Sequence, residues 1–317
     1  MAYRKIFDAK GKPREAWLEV RRAGLGGSDM AAVLGMNQWR SPLDVWLDKT
    51  GRTRDENEDN QFTYWGTRLE ALVAEEFALR TGFKVRNNNF TLQSVEHPFL
   101  LANIDREIVG VDAGLECKTA STYKSKEWDG DNVPDAYYIQ CQHYMAVTGK
   151  ASWWIACLIG GNDFRYKEIP RNDEVIDVII KQGQAFWKLV TQDTMPDVDG
   201  SKACTEALQD MIGQATSDET IELADTAKIY IKQYKQFEAE EKEAKLKKDE
   251  AKNALCQMLD VNERGQCDTW TVTWRNQEGR TSFDYKALLK EHGDELPYLS
   301  EYIKIGKQTR RFTIKGE

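Results

Sequence analysis

A chain of 317 residues has room for one large domain with an appendage or for two modest domains, and 10 Trp, 12 Tyr and 11 Phe supply the bulk of a substantial core. A net charge of -8 argues against a protein that coats nucleic acid, although an enzyme gripping DNA in a local channel can be acidic overall. No apolar run reaches membrane-spanning length, the charged N-terminus lacks the apolar centre of a signal peptide, and the 6 Cys show neither a C-x-x-C pair nor zinc spacing. They read as buried thiols in a reducing cytoplasm, with no iron–sulfur cluster.

Residues 1–22 hold seven basic against three acidic side chains and end in a short helical pattern at 15–22. Glycines then lead into Ser28 and a second helical run, which makes Ser28 an N-cap candidate with free amides behind it. Preceded by Arg21 and Arg22, such a helix start is a ready anion site, and a capped helix without a ligand is the alternative. Ser41 and Pro42 open another helix to Lys49, and residues 50–61 form a polar, acidic loop. Residues 64–80 read as a helix with Leu69, Leu72, Val73 and Phe77 on one face and Gly82 as its stop. Glu70 borders that stripe, either as a boundary residue or as a carboxylate aimed inward.

Strands are predicted over 83–93, 99–109 and 115–119. The middle one carries Asp105. The last places Glu116 and Lys118 on one face, because successive strand side chains alternate, with Leu115, Cys117 and Thr119 on the other. Two carboxylates held close need a cation, and their hard oxygens suit Mg²⁺ or Mn²⁺. A neighbouring Lys can orient or deprotonate an attacking water, which is chemistry for phosphodiester hydrolysis. The bland alternative is a hairpin with a solvated polar face.

Residues 120–134, with Lys124 and Lys126, are predicted to be a mobile loop beside the site. Pro134 opens a helix closed by Gly149, in which Gln140 and Tyr144 lie one turn apart and can reach one site. His143 is structural or DNA-proximal. The apolar run 152–159 suits the sheet centre, 164–169 its hairpin partner, and 173–190 an amphipathic covering helix. An α/β unit therefore closes near residue 195. After a Pro/Asp/Gly linker, Ala227, Tyr230, Tyr234, Phe237, Ala244, Ala251, Leu255 and Met258 mark a heptad seam interrupted at Glu241 and Lys248. This is a long helix packed on another helix, of its own chain or a neighbour's, or a solvated charged helix. A strand follows at 269–275, and residues 304–315 form a basic, strand-like tail.

Arg21 with Ser28 in GGSDMAAVLG, WGTRLE at 65–70, Asp105, Glu116-Cys117-Lys118, Gln140-x3-Tyr144 and the closing GKQTRRFTIK together resemble the YqaJ viral recombinase family, relatives of the phage lambda exonuclease. The resemblance implies an α/β fold of the PD-(D/E)xK class, a restriction-endonuclease-like central mixed sheet flanked by helices. The nuclease domain would span 1–195, a helical, coiled-coil-like segment 202–260 and a small β and basic segment 265–317. It implies a Mg²⁺-dependent (Mn²⁺ substituting) 5′ to 3′ exonuclease on linear double-stranded DNA ends, of phage or prophage origin and working in the bacterial host cytoplasm. Its expected partner is a single-strand annealing protein of the RecT or Red-beta type, and lambda-like members form a homo-oligomer, a ring trimer. By motif match Asp105, Glu116 and the Cys117 carbonyl are metal ligands, Glu70 a further carboxylate and Lys118 the water-activating residue. Gln140 positions the site beside Tyr144, and Arg21 and Ser28, with Arg22 adjacent, take the 5′-phosphate. The rivals are an endonuclease or nickase on the same core and a catalytically dead coiled-coil DNA-binding adaptor.

Overall fold

The computed structural model describes residues 2–53, 61–277, 279 and 285–292. The basic tail at 304–315 and most of the loop at 50–61 lie outside the described residues. The chain divides into two compact units, Met1–Gly213 and Gln214–Glu317.

The first unit opens with β1 (Tyr3–Asp8), α1 (Arg14–Arg22), α2 (Gly27–Val33) and α3 (Pro42–Lys49). β1 was legible only as a basic stretch, since it lacks apolar alternation; what makes it a strand is its antiparallel backbone ladder with β3 (Phe90–Ser94). α3 begins where the sequence predicts, with Ser41 as N-cap and the Asp44 carboxylate reaching back to the Ser41 N–H at 2.7 Å. α4 (Gln61–Thr81) buries Val73, Ala74 and Phe77, and Leu72, expected on that face, is exposed.

Each of the two long strands predicted next is broken, and the breaks build the site. The first becomes β2 (Val85–Asn87) and β3, separated at Asn88, whose side chain accepts from the Phe90 N–H. The second becomes β4 (Leu101–Asn103) and β5 (Arg106–Ile108), separated at Ile104 and Asp105. β3 and β4 join β1 in a three-stranded sheet. β2 and β5 join β6 (Ala113–Ala120), β7 (Ser152–Ile159) and β8 (Asp163–Pro170) in a five-stranded sheet of order β2-β5-β6-β7-β8. Asp105 therefore stands at the crossing between two sheets and outside any strand. In the larger sheet β6 and β7 run parallel and the other pairs antiparallel. The site strand β6 takes the middle, and the apolar β7 lies beside it.

Helices cover both faces of this mixed sheet. On one, Val73, Ala74 and Phe77 of α4 pack against Leu115, Cys117 and Ala156. On the other, Cys141, Tyr144 and Met145 of α5 (Asp135–Thr148) pack against Trp153, Ile155 and Cys157. Gly114 is required there: a Cβ would lie 2.3 Å from the Trp153 ring. His143 is fully buried and donates from Nε2 to the Leu101 carbonyl at 2.7 Å, tying α5 to β4, so its role is structural.

The segment expected to be a mobile loop is built and anchored. Thr122–Trp128 form a 3-10 helix with Trp128 in the core, and Lys167 of β8 donates to the carbonyls of Trp128 (2.7 Å) and Asn132. α6 (Asp173–Thr191) follows, capped by Asn172. The unit extends past the expected end at residue 195, because α7 (Lys202–Ile212) seats Cys204 and Ala207 in a core shared with α3.

The second unit holds α8 (Ala227–Leu259), a hairpin of β9 (Arg264–Cys267) and β10 (Trp270–Thr273), and α9 (Tyr285–His292). Along α8 only Leu259 is buried among the described residues; Tyr230, Phe237 and Met258 of the seam are exposed.

Candidate active site

β6 carries Glu116 and Lys118 on the α5 face, and the break between β4 and β5 lets Asp105 turn back onto β6. Its Oδ2 accepts from the Cys117 N–H at 2.8 Å. Glu116 is 2% exposed, and its two oxygens have different surroundings. Oε1 accepts from Lys118 Nζ at 2.5 Å and from Gln140 Nε2 at 2.7 Å, whereas the buried Oε2 has no hydrogen-bond partner. Gln140 uses the same nitrogen to reach the Tyr144 hydroxyl at 2.7 Å, so Tyr144 stands one step back and supports Gln140. Lys118 also lies over the Tyr137 ring, 4.9 Å from its centre.

Burial, then the charge of Glu116, pushes the Asp105 carboxyl well above its ordinary range, with Lys118 pulling the other way. Burial alone would lower the Lys118 ammonium, but Glu116 and Asp105 outweigh it and hold its pKa above the ordinary value. As arranged here Lys118 is a proton donor. Burial and the nearby carboxylates likewise raise Tyr144 and Cys141, which stay a phenol and a thiol.

Glu70 reaches the same end of the sheet from α4, but its carboxylate is held by Arg106 at 2.5 Å, and Arg106 also donates to the Asp105 carbonyl at 2.7 Å. Among the described residues no three His, Cys, Asp or Glu side chains form a group able to hold a metal. What the site offers is a bare, buried Glu116 oxygen beside Asp105. That fits a hard cation of the Mg²⁺ class, which is bound by one or two carboxylates and takes the rest of its shell from water and substrate phosphates.

The second cluster lies against the first. Gly27, the first residue of α2, is pressed on α5 so closely that a Cβ would sit 2.8 Å from Gln140 Cγ. Ser28 occupies the second helical position and is not the cap: Gly26 is the N-cap, and its N–H is taken by Asp29 Oδ2 at 2.8 Å. A carboxylate three residues on reaches the cap N–H, which moves the start ahead of Ser28. Arg21 stacks over Trp17 at 4.7 Å and, among the described residues, forms no ion pair. Arg22 turns toward Asp48, with Nε 3.8 Å from its carboxylate. Sequence reasoning missed Arg106, Tyr137 and the buried ions around Asp29. Arg106 follows Asp105 directly, but a continuous strand would have sent the two to opposite faces. Only the strand break explains the observed geometry.

A carboxylate at a strand break, a Glu-x-Lys pair on the middle strand of a mixed sheet and helices on both faces define the PD-(D/E)xK class of fold. A model of the YqaJ-like viral recombinase domain matches residues 16–151. Over 305 residues the chain is 37% identical to the uncharacterized protein YqaJ of Bacillus subtilis (strain 168), covering 95% of this chain and 94% of that one. The chain belongs to the YqaJ-like viral recombinase family. It is also similar to two solved proteins. One is an alkaline exonuclease (LHK-Exo) from Laribacter hongkongensis, at 19% identity, a TM-score of 0.46, and coverage of 56% of this chain and 93% of that one. The other is a phage related exonuclease from Haemophilus somnus 129PT, at 16% identity, a TM-score of 0.42, and coverage of 56% and 97%. At these values neither carries residue roles across to this chain.

Proposed function

We propose that this chain is a divalent-metal-dependent exonuclease that resects linear double-stranded DNA from the 5′ end, in phage-type recombination by single-strand annealing. The observation that carries the reading is the division of Glu116. Lys118 and Gln140 fix one oxygen, and the other is left bare and buried beside Asp105, an arrangement that costs stability unless a cation completes it.

Asp105 and Glu116, with the Cys117 carbonyl, would hold Mg²⁺ (or Mn²⁺), which when bound supplies a Lewis acid at the scissile phosphodiester. Lys118, as an ammonium, orients the attacking water by donation and stabilises the charge that builds on the phosphoryl oxygens. Gln140, braced by Tyr144, keeps Glu116 in the orientation that leaves Oε2 bare. Glu70 neutralises Arg106 and steadies the turn at Asp105. Arg21 and Ser28 receive the terminal 5′-phosphate, and Gly27, next to Ser28, packs directly on Gln140. Family membership supports DNA as substrate and a single-strand annealing protein as partner, and the α8 seam supports self-association.

The test is digestion of linear and covalently closed circular duplex with Mg²⁺, with Ca²⁺ and with EDTA. Loss of linear duplex alone, in Mg²⁺ alone, is expected. Cleavage of closed circles would give the endonuclease reading the same site, and activity in excess EDTA would remove the metal.

A further inference from the structure

Beneath the Arg21 and Ser28 corner lies a network of buried ions that the proposed reaction does not use. The side chains of Asp29 and Lys49 are both fully buried, with Lys49 Nζ 2.7 Å from Asp29 Oδ2. That same Oδ2 accepts from the Gly26 N–H, and Oδ1 is held by Arg40. Lys49 also donates to the backbone carbonyl of Arg21 at 3.0 Å. A single ammonium thus joins the last turn of α1, through Arg21, to the first turn of α2, through Asp29 and the cap at Gly26. These turns carry the two groups assigned to the terminal phosphate.

We infer that Lys49 is a positioning residue for the 5′-phosphate pocket: it sets the spacing between Arg21 and Ser28, and so the preference for phosphorylated ends, without touching DNA. The inference rests on the pocket reading given under Proposed function. Three features of the network carry it. An ammonium with no solvent exposure cannot itself meet a phosphate, so its role passes through its partners. A buried ion pair of this kind is a poor source of net stability and a good source of fixed geometry. The charge balance also leaves Arg21 available. Arg40 and Lys49 share Asp29, and Arg40, Lys49 and Arg22 surround Asp48 at 3.0, 3.5 and 3.8 Å. Two carboxylates thus face three cations before Arg21 is counted. Burial alone would raise the Asp29 carboxyl, but Arg40, Lys49 and Arg21 hold it well below the usual range, so it remains the anion to which the corner is fastened.

The experiment compares initial cleavage of one linear duplex bearing either 5′-phosphate or 5′-hydroxyl ends, in Mg²⁺. The proteins are wild type, Arg21→Ala, Lys49→Met and the neutral pair Asp29→Asn/Lys49→Met. The double variant removes the charge of the buried carboxylate that Lys49→Met would leave to Arg40 alone, and it serves where the single variant folds poorly. The readout is the ratio of rates on the two ends. We expect Lys49→Met and the double variant to lower this ratio by about tenfold or more, as a sub-ångström to ångström misplacement of a binding group does. A fall of equal size on both ends, with the ratio kept, would mean Lys49 is only structural and would overturn the inference while Arg21→Ala still loses the preference. A wild-type ratio near unity would overturn the pocket reading, and this inference with it.

Discussion

Gln140 donates to Glu116 Oε1 at 2.7 Å and thereby decides which way the carboxylate faces. The same nitrogen is fixed by Tyr144, itself 4% exposed, so the orientation of a site carboxylate is set by packing on α5. Gln140→Leu keeps the volume and removes both bonds. Turnover should fall by roughly 10- to 100-fold and half-saturation should move to higher Mg²⁺, as for the loss of a group orienting a metal ligand. Unchanged Mg²⁺ dependence in a rate titration would show that Glu116 orients itself.

Lys118 is the opposite case, a group that acts on charge. Held as an ammonium by Glu116 and Asp105, it contributes where negative charge develops and little to ground-state affinity. Lys118→Ala should cut turnover by a factor on the order of 10² or more with duplex affinity nearly kept. Parallel collapse of binding, measured by anisotropy in Ca²⁺, would make it a phosphate contact instead.

The geometry of this site was legible in the sequence where periodicity fixes direction. Glu116 and Lys118 share a strand face by alternation, and Gln140 and Tyr144 share a helix face by their spacing, and they meet as those periods require. What was not legible depends on breaks and on distant partners. Asp105 reaches β6 only because the chain changes sheets at that residue, and nothing local marks the crossing. Ser28 lost the cap to Gly26 because Asp29 reaches back, and Lys49 acquires its role from a residue 28 positions away. β1 exists through its ladder with β3, a contact no window of sequence contains.

Glu70 is paired with Arg106, so its removal should matter less than that of Glu116. Glu70→Gln is expected to reduce cleavage several-fold less than Glu116→Gln. Arg106→Gln, which strands a partly exposed carboxylate, should cost roughly 1–2 kcal/mol of stability by urea unfolding. Equal losses for the two Glu variants would mean that Glu70 leaves Arg106 in the working complex and joins the metal.

His143 makes stability depend on pH. Its Nε2 donates to a carbonyl, so the buried Nδ1 is the bare nitrogen, and burial lowers the imidazole from 6.5 to about 4. The unfolded chain takes up this proton first. Stability is therefore full above about pH 6.5 and is lost as the pH falls toward 4, by on the order of 3 kcal/mol. Asp105, whose pKa is raised, gives the opposite slope, so the comparison must be between wild type and His143→Gln. Urea midpoints at pH 7 and pH 5 should differ less in the variant; an identical difference would show that His143 does not titrate in this window.

α8 presents the last question. A helix of 33 residues is about 50 Å long, and among the described residues it buries only Leu259. Its charged faces carry pairs such as Lys247 with Glu243 at 2.6 Å, which support an isolated helix by only a few tenths of a kcal/mol each. Such pairs do not account for Tyr230 and Phe237, 70% and 61% exposed and one heptad apart on the seam. Aromatic side chains repeated at that spacing are the pattern of a helix that packs on another, and a single amphipathic helix cannot cover its own stripe. Tyr230→Asp with Phe237→Asp is expected to lower the solution mass measured by light scattering and to lower the melting temperature by several degrees, while cleavage by residues of the first unit persists at high protein concentration. A double variant with wild-type mass and wild-type melting temperature would mean that the stripe is solvated and that α8 takes no part in assembly.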